Sequence, residues 1–472
     1  MTFRFKPIKM PIVGLSLHFQ SNPNRNDNKS NGVIAHMTDI RLEDRKITQL
    51  RKANKATQAD LAGAMFCDVD KVSKVERGLA QYSESHVKWA KKFFDIEGMP
   101  LTEHERAIFR VRLYKMRDLT REGRLSEAKD SLDEMAKLVN LDPCDDDLPM
   151  LYRAFEVIYL IAVDKIDAAE EKLTYLGGRL RDMNAEHRYY YNGNMGTLNI
   201  RRVRYIEGME FCRQALKIAA DAKDFTSDDS GLLHCRIAAC YSYLCYPQRS
   251  IRYLHKTREL YATETRNDRF DLYVDGLFAY NYIILNELEE AEKLLNNCLI
   301  RAQANKDNYS ITGTRNYLGQ LYRKTKNWDA SIENFDCVIE YFKGDNEFHK
   351  VALFNKINCL LESRSFRKAE KAIEKALALY ETDEVFAIYF ESRRHVLNIR
   401  RRISLPNEDS AKYLETKAIP HFIETYRYFD ALDCYELLEL NYKKINSMMK
   451  SLQMSLAIRD IYRRCYTYYE ER

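Results

Sequence analysis

The chain has 472 residues, enough for two to four domains with sizeable cores. A net charge of only +5 excludes a generally basic nucleic-acid binder. Eleven cysteines without a CxxC pair point away from a disulfide framework or zinc ribbon and toward a reducing, cytoplasmic setting.

Nine Pro and 16 Gly are few for this length, and Leu, Ala, Lys, Glu and Tyr are plentiful. With no long strand-like alternation, the class predicted is all-α. No run of eighteen apolar residues occurs, so no membrane span is expected. The opening MTFRFKPIKMPIVGLSLHF lacks an uninterrupted apolar stretch and a small-residue cleavage site, and is not read as a signal. His234, Cys235, Cys240 and Cys245 lie close in sequence, but buried helix cysteines account for them, and no metal or other cofactor is expected.

Residues 1–40 contain SNPNRNDNKSNG, polar and without periodicity, and read as a disordered or loosely ordered extension. Order begins in residues 41–99. Ile47, Leu50, Leu61, Ala62, Met65, Val69, Val72 and Val75 recur at helical spacing in three short segments. Thr57 is placed to cap the second, Phe66-Cys67 to make a bend, Asp68 to cap the third and Gly78 to stop it. Residues 83–95 add a fourth segment, capped by Ser83 or Ser85, with Val87, Ala90, Phe93 and Phe94 spaced to pack on the others. Across residues 41–98, twelve Lys/Arg stand against nine Asp/Glu, so most of the chain's excess charge lies here.

The runs LRKANKATQADLA and VDKVSKVERG resemble the Cro/cI-type helix-turn-helix, except that Phe66 stands where a glycine usually eases the turn. By that resemblance Val69, Asp70, Ser73 and Lys74 face base edges, and Gln58 and Arg77 hold phosphate, on a double-stranded operator. The chemistry agrees: Lys74 can donate to guanine, and Asp70 can accept from cytosine N4.

Gly98-Met99-Pro100 closes this domain, and a helix is expected from Thr102. A weak repeat then runs through residues 100–420. Small residues at Ala128, Ala169, Gly208, Ser250, Ala291, Ser331, Ala369 and Ala411 open successive second helices at spacings of 38 to 42 residues. Twelve residues earlier stand Gly196, Ala238, Ala279 and Gly319, and nine earlier Tyr241, Tyr282 and Tyr322. Such a period means a helical solenoid. Its internal spacing resembles tetratricopeptide repeats, about eight of them in a right-handed array, with residues 421–472 as a capping helix pair (Leu432 to Tyr442, then Met448 to Tyr469).

The first helices of such an array line a groove suited to an extended peptide, whose backbone N–H and C=O groups an Asn amide satisfies together. Asn192, Asn194, Asn199, Asn281, Asn316, Asn355 and Asn358 lie on first helices, with Asn316 at the inward position. Arg201 and Arg202 are candidates for a peptide carboxylate. Tyr189-Tyr190-Tyr191 reads as seam packing.

A Cro-type helix-turn-helix followed by such repeats is similar to the cytoplasmic peptide-pheromone receptors of Gram-positive bacteria and their phages, the group containing Rap, Rgg, NprR, PlcR and PrgX. The resemblance implies a homodimeric transcription factor whose operator binding is controlled by a short signalling peptide. The alternatives are a regulator whose repeats bind a protein partner, and an enzyme-like role. No P-loop, HExxH or nucleophile elbow occurs, and no catalytic residue is assigned.

Overall fold

A computed structural model describes residues 42–95, 103–139, 147–222, 225, 227–261, 268–342 and 347–466. The N-terminal extension, the domain boundary near residue 99 and the last six residues lie outside these. The described chain is all-α and divides into two compact units that meet within one helix, residues up to Tyr191 and residues from Asn192.

The first unit opens with four short helices: α1 (Leu42–Ala53), α2 (Gln58–Met65), α3 (Val69–Glu76) and α4 (Glu84–Phe93). Ile47, Leu50, Leu61, Ala62, Met65, Val72 and Val75 form their core with Tyr82, Val87 and Ala90. Thr57 caps α2 in a reciprocal box with Asp60, and Ser83 caps α4 in the same way with His86. Asp68 occupies the α3 N-cap by backbone conformation alone, because its side chain makes no capping hydrogen bond. Gly78, at φ 79°, ends α3 in a Schellman turn, with Leu79 N–H on the Lys74 carbonyl. Two expected core positions face outward: Val69 is 46% exposed and Phe93 41%.

Helix pairs follow: α5 (Glu103–Arg121) with α6 (Leu125–Val139), and α7 (Asp147–Ala162) with α8 (Ile166–Gly177). In the second unit, α9 (Ala185–Arg201) leads to α10 (Tyr205–Ala222), then α11 (Ser227–Tyr243) to α12 (Pro247–Leu260) and α13 (Asp268–Leu285) to α14 (Leu288–Ala304). The series continues with α15 (Asn308–Lys324) and α16 (Trp328–Tyr341), α17 (Glu347–Glu362) and α18 (Phe366–Leu379), and α19 (Glu384–Arg401) and α20 (Glu408–Tyr413). Each small residue of the sequence repeat, from Ala128 to Ala411, is the buried fourth residue of a second helix.

One turn recurs inside these pairs. A left-handed residue stands two positions before the second helix: Gly123, Asp164, Val203, Cys245, Asn286, Lys326 and Arg364. The next residue's N–H then bonds a carbonyl five residues back, as Asn327 does on Tyr322 at 2.8 Å. Only the first uses glycine, so six turns accept a Cβ in the left-handed region, at about 1–2 kcal/mol each. The turns are therefore invisible to a search for Gly.

Small residues matter where the paired helices approach. Ser331 Oγ donates to the Gly319 carbonyl at 2.7 Å, and a Cβ on Gly319 would stand 2.7–2.9 Å from ring carbons of the fully buried Phe335. Glycine-to-alanine in a helix ordinarily stabilises by about 1 kcal/mol. Gly319→Ala is expected to reverse that sign and destabilise by about 1–2 kcal/mol, because the ring is walled in. Urea denaturation of the full chain checks it.

The C-terminal end departs from the expected boundary at residue 420, which falls inside α21 (Ile419–Glu424). Pro420 has no N–H to continue the α-helical ladder, and a π-turn at Leu414–Ala418 joins α20 to α21. The final helices, α22 (Tyr428–Lys444) and α23 (Met448–Tyr466), are joined through left-handed Asn446 by the turn the repeats use. They form a further pair of the same kind, and the first begins four residues earlier than expected.

Candidate functional site

The first unit presents α3 with its apolar side inward, through Val72 and Val75, and Val69, Asp70 and Lys74 outward. Lys74 Nζ lies 2.6 Å from Asp70, one helical turn away, both well exposed. Such a pair contributes under about 1 kcal/mol and separates readily when another partner arrives. Ser73 is half-buried, and Arg77 is exposed with its Nε donating to the Ser73 carbonyl at 3.2 Å. Gln58 is committed locally: its Nε2 donates to Glu76 Oε2 at 2.7 Å. Glu76 also takes Arg51 in a two-pronged pair, with Nε at 2.6 Å and Nη2 at 2.9 Å, tying α1 to α3. Burial works against the Glu76 charge, but the hydrogen bonds from Arg51 and Gln58 outweigh it and hold the carboxyl below its ordinary range.

Phe66 takes the left-handed conformation at φ 54° that a glycine would take freely. The Cys67 N–H closes the turn on the Ala62 carbonyl at 3.0 Å, and the Phe66 ring, 76% exposed, meets Trp89 edge-on at 5.1 Å. The turn forms despite the substitution.

In the second unit a cavity of about 580 Å³ is lined by the inner faces of α11, α13, α15, α17 and α19 and closed by α22 and α23. Of the nine residues singled out for peptide binding it brings together two, Asn316 of α15 and Asn355 of α17. These are only 7% and 8% exposed, and among the described residues nothing hydrogen-bonds either amide. A nearly buried amide without an internal partner is open to a ligand backbone.

The other seven are placed differently, Asn192 being buried in α9 outside the cavity lining. Asn281 is fully buried, its Nδ2 donating to Ser242 Oγ, Ser250 Oγ and the Leu277 carbonyl at 2.7–3.0 Å, so it knits adjacent pairs together. Asn358 accepts from Arg393 Nη1 at 2.9 Å. Asn199 donates to the Met195 carbonyl one turn back at 2.8 Å. Asn194 and Arg201 are buried in α9 and Arg202 is half-buried in the turn after it; none of the three lines the cavity.

Sequence reasoning missed the charged wall of the cavity. Arg323 of α15 donates to Glu362 Oε1 of α17 at 2.5 Å and to Asp433 Oδ2 of α22 at 2.6 Å. Arg427 is buried in an ion pair with Asp430, its guanidinium 4.8 Å from the Phe354 ring and 4.5 Å from that of Tyr389. Tyr243, Tyr280 and Tyr317 form an aromatic floor.

The cysteines and histidine singled out in α11 and the turn after it are packing residues. Cys235, Cys240 and Cys245 are buried, and desolvation pushes the Cys235 thiol up to about 12 and Cys240 well above its ordinary value. Burial lowers the His234 pKa. Among the described residues no three His, Cys, Asp or Glu groups are placed to hold a metal, and no helix is long and apolar enough to cross a membrane.

No protein-family model and no curated protein matches the sequence. Solved structures do match. A Rap protein complexed with competence and sporulation factor superposes with a TM-score of 0.66 at 14% identity, over 76% of this chain and 98% of that one. The quorum sensor NprR from B. thuringiensis, in its apo form, gives 0.59 at 16% identity, over 76% of this chain and all of its own. NprR with its cognate peptide NprX gives 0.60 at 17% identity, over 76% and 98%. Over three quarters of the chain, the fold is that of Rap and NprR. It is a tetratricopeptide-like helical solenoid.

Proposed function

We propose that this chain is a DNA-binding transcriptional regulator whose operator affinity is set by a short signalling peptide held in the cavity of the second unit. The observation that carries the reading is the pair of unpartnered amides, Asn316 and Asn355, in one tyrosine-floored cavity. An extended peptide leaves N–H and C=O groups unpaired on both edges, and two free amides match them. The solved relatives of the fold include an NprR bound to its peptide. The exposed Val69, Asp70 and Lys74 on a short helix braced by Arg51 and Glu76 support the DNA-reading half. The reading includes a cytoplasmic homodimer and contains no catalytic step. Peptide controls DNA binding here by preferring one arrangement of the repeats.

Operator binding by the purified chain, with and without synthetic peptides from the C-terminus of the small open reading frame beside its gene, tests the proposal. A peptide-dependent shift in DNA affinity, lost in Asn316→Ala, is expected. DNA binding that no peptide alters would end the peptide half of the reading.

One observation favours a protein partner as the second reading: Met448, Met449, Leu452 and Leu456 of α23 are exposed along one side of the helix. Under that reading, peptide has no effect, and replacing this stripe abolishes regulation.

A further inference from the structure

Buried and half-buried guanidinium groups outnumber the carboxylates that pair with them around the cavity. Arg323 is balanced by Glu362 and Asp433, and Arg427 by Asp430. Arg393, 2% exposed, is held by neutral groups: Asn358 Oδ1 at 2.9 Å, Ser392 Oγ at 3.1 Å, Cys434 Sγ at 3.4 Å and the face of Phe354 at 4.7 Å. Arg400 of α19 also lines the cavity, yet among the described residues it has no hydrogen bond and no ion pair, and its Nε is buried without a partner. Burial holds its pKa below the usual arginine value. Glu362 and Asp433 attract it from nearby, but Arg323 already engages both, and Arg323 and Arg393 repel it.

Four guanidinium groups thus share three carboxylates. The fourth carboxyl, Glu436, is exposed, accepts a hydrogen bond from the Tyr462 hydroxyl at 3.1 Å and, among the described residues, makes no ion pair with Arg400. Lys324 and Lys326 add further positive charge to the cavity lining. A desolvated cation without a partner is costly, and an anion arriving at it recovers that cost. A planar guanidinium is also the donor best matched to a carboxylate.

We propose that Arg400 is the docking point for a carboxylate of the bound peptide, supplied by its C-terminus or by an Asp or Glu side chain. The assignment rests on the peptide-receptor reading and adds the chemistry the peptide must carry. It moves the carboxylate site from Arg201 and Arg202, which do not line the cavity, to a residue some two hundred positions further on.

The test uses the full chain and a pool of randomised synthetic hexapeptides. Peptides that bind are remade as C-terminal amides and, separately, with acidic side chains replaced by their amides. Each form is titrated against wild type, Arg400→Gln, Arg400→Lys and Asn316→Ala. Neutralising the relevant carboxylate should weaken wild-type binding by about ten- to a hundredfold, the effect of one charge-assisted hydrogen-bonded pair. Arg400→Gln should lose as much against the acid form and nothing further against the neutral form, while Arg400→Lys retains part. Which modification weakens binding identifies the source of the carboxylate. Arg400→Gln without peptide should melt no lower than wild type, since it removes an uncompensated charge. If Arg400→Gln binds acid and neutral peptides as wild type does while Asn316→Ala loses both, the Arg400 assignment falls and the receptor reading stands. A lowered melting temperature with weak binding of every form makes Arg400 structural and also overturns the assignment. If no peptide in the pool binds wild type, the receptor reading fails and the assignment goes with it.

Discussion

Replacing Asp430 with alanine is expected to destabilise the second unit by about 3–5 kcal/mol, the cost of leaving a buried charge alone. Arg427 is 8% exposed and Asp430 9%, and they pair one turn apart at the start of α22. Burial works against the Arg427 charge, but Asp430 and Tyr389 more than restore it, so the guanidinium stays protonated and cannot escape by neutralising. The neighbouring aromatic faces of Phe354 and Tyr389 add a second layer of attraction that Asp430→Ala leaves in place. Chemical denaturation reads the loss. The double replacement Arg427→Met with Asp430→Leu should recover most of it, because two apolar side chains remove the charge together with its partner. A loss below about 1 kcal/mol in the single variant would mean that water reaches the pair.

Arg51→Ala should cost the four N-terminal helices about 2–3 kcal/mol, roughly the value of a partly buried, charge-assisted pair. It removes both prongs on Glu76 and the 2.8 Å bond from Nη1 to the Ala56 carbonyl, which together hold α1, the α1–α2 turn and α3 in register. Under the proposed DNA-reading role, operator affinity should fall with it, because side chains on α3 could meet bases only with the helix held in place. The same pair gives a pH dependence. The Glu76 carboxyl is held below its ordinary value of 4.5 in the folded chain, so its contribution is fully present above that value. It is lost as pH falls through the lower, folded value. Acid titration of the folded fraction should therefore show a steeper loss in wild type than in Arg51→Ala. Parallel acid curves for the two would overturn the assignment of Glu76 as the partner that matters.

What short stretches of chain encode was legible without coordinates. Thr57 with Asp60 is a capping signal spanning three residues and its cap formed; of Ser83 and Ser85, between which the sequence did not choose, Ser83 takes the α4 cap. The series from Ala128 to Ala411 marked the second helix of eight pairs to the residue, because each helix pair must bring two backbones close at one place and only small side chains permit it. Phe66 was an anomaly in the sequence and is one in the structure: it occupies the left-handed turn a glycine would favour.

The fate of each asparagine was decided by tertiary structure. Asn316 lies three residues before its seam glycine, Gly319, and Asn281 two residues after its own small residue, Ala279. Those offsets point about 140° apart around a helix, one toward the cavity and the other toward Ser242 and Ser250 of the preceding pair. The repeat register therefore already set Asn316 inward and Asn281 off that position, but which partners Asn281 would meet, two serines of the preceding pair, lay outside it. The charged wall lay further beyond reach. Arg323 and Asp433 are 110 positions apart, and Arg323 and Glu362 39 apart. Local spacing determines where helices start, bend and pair, since those are interactions among near neighbours. Which guanidinium is left without a carboxylate depends on how several helix pairs close on one another, and only the packed chain decides that.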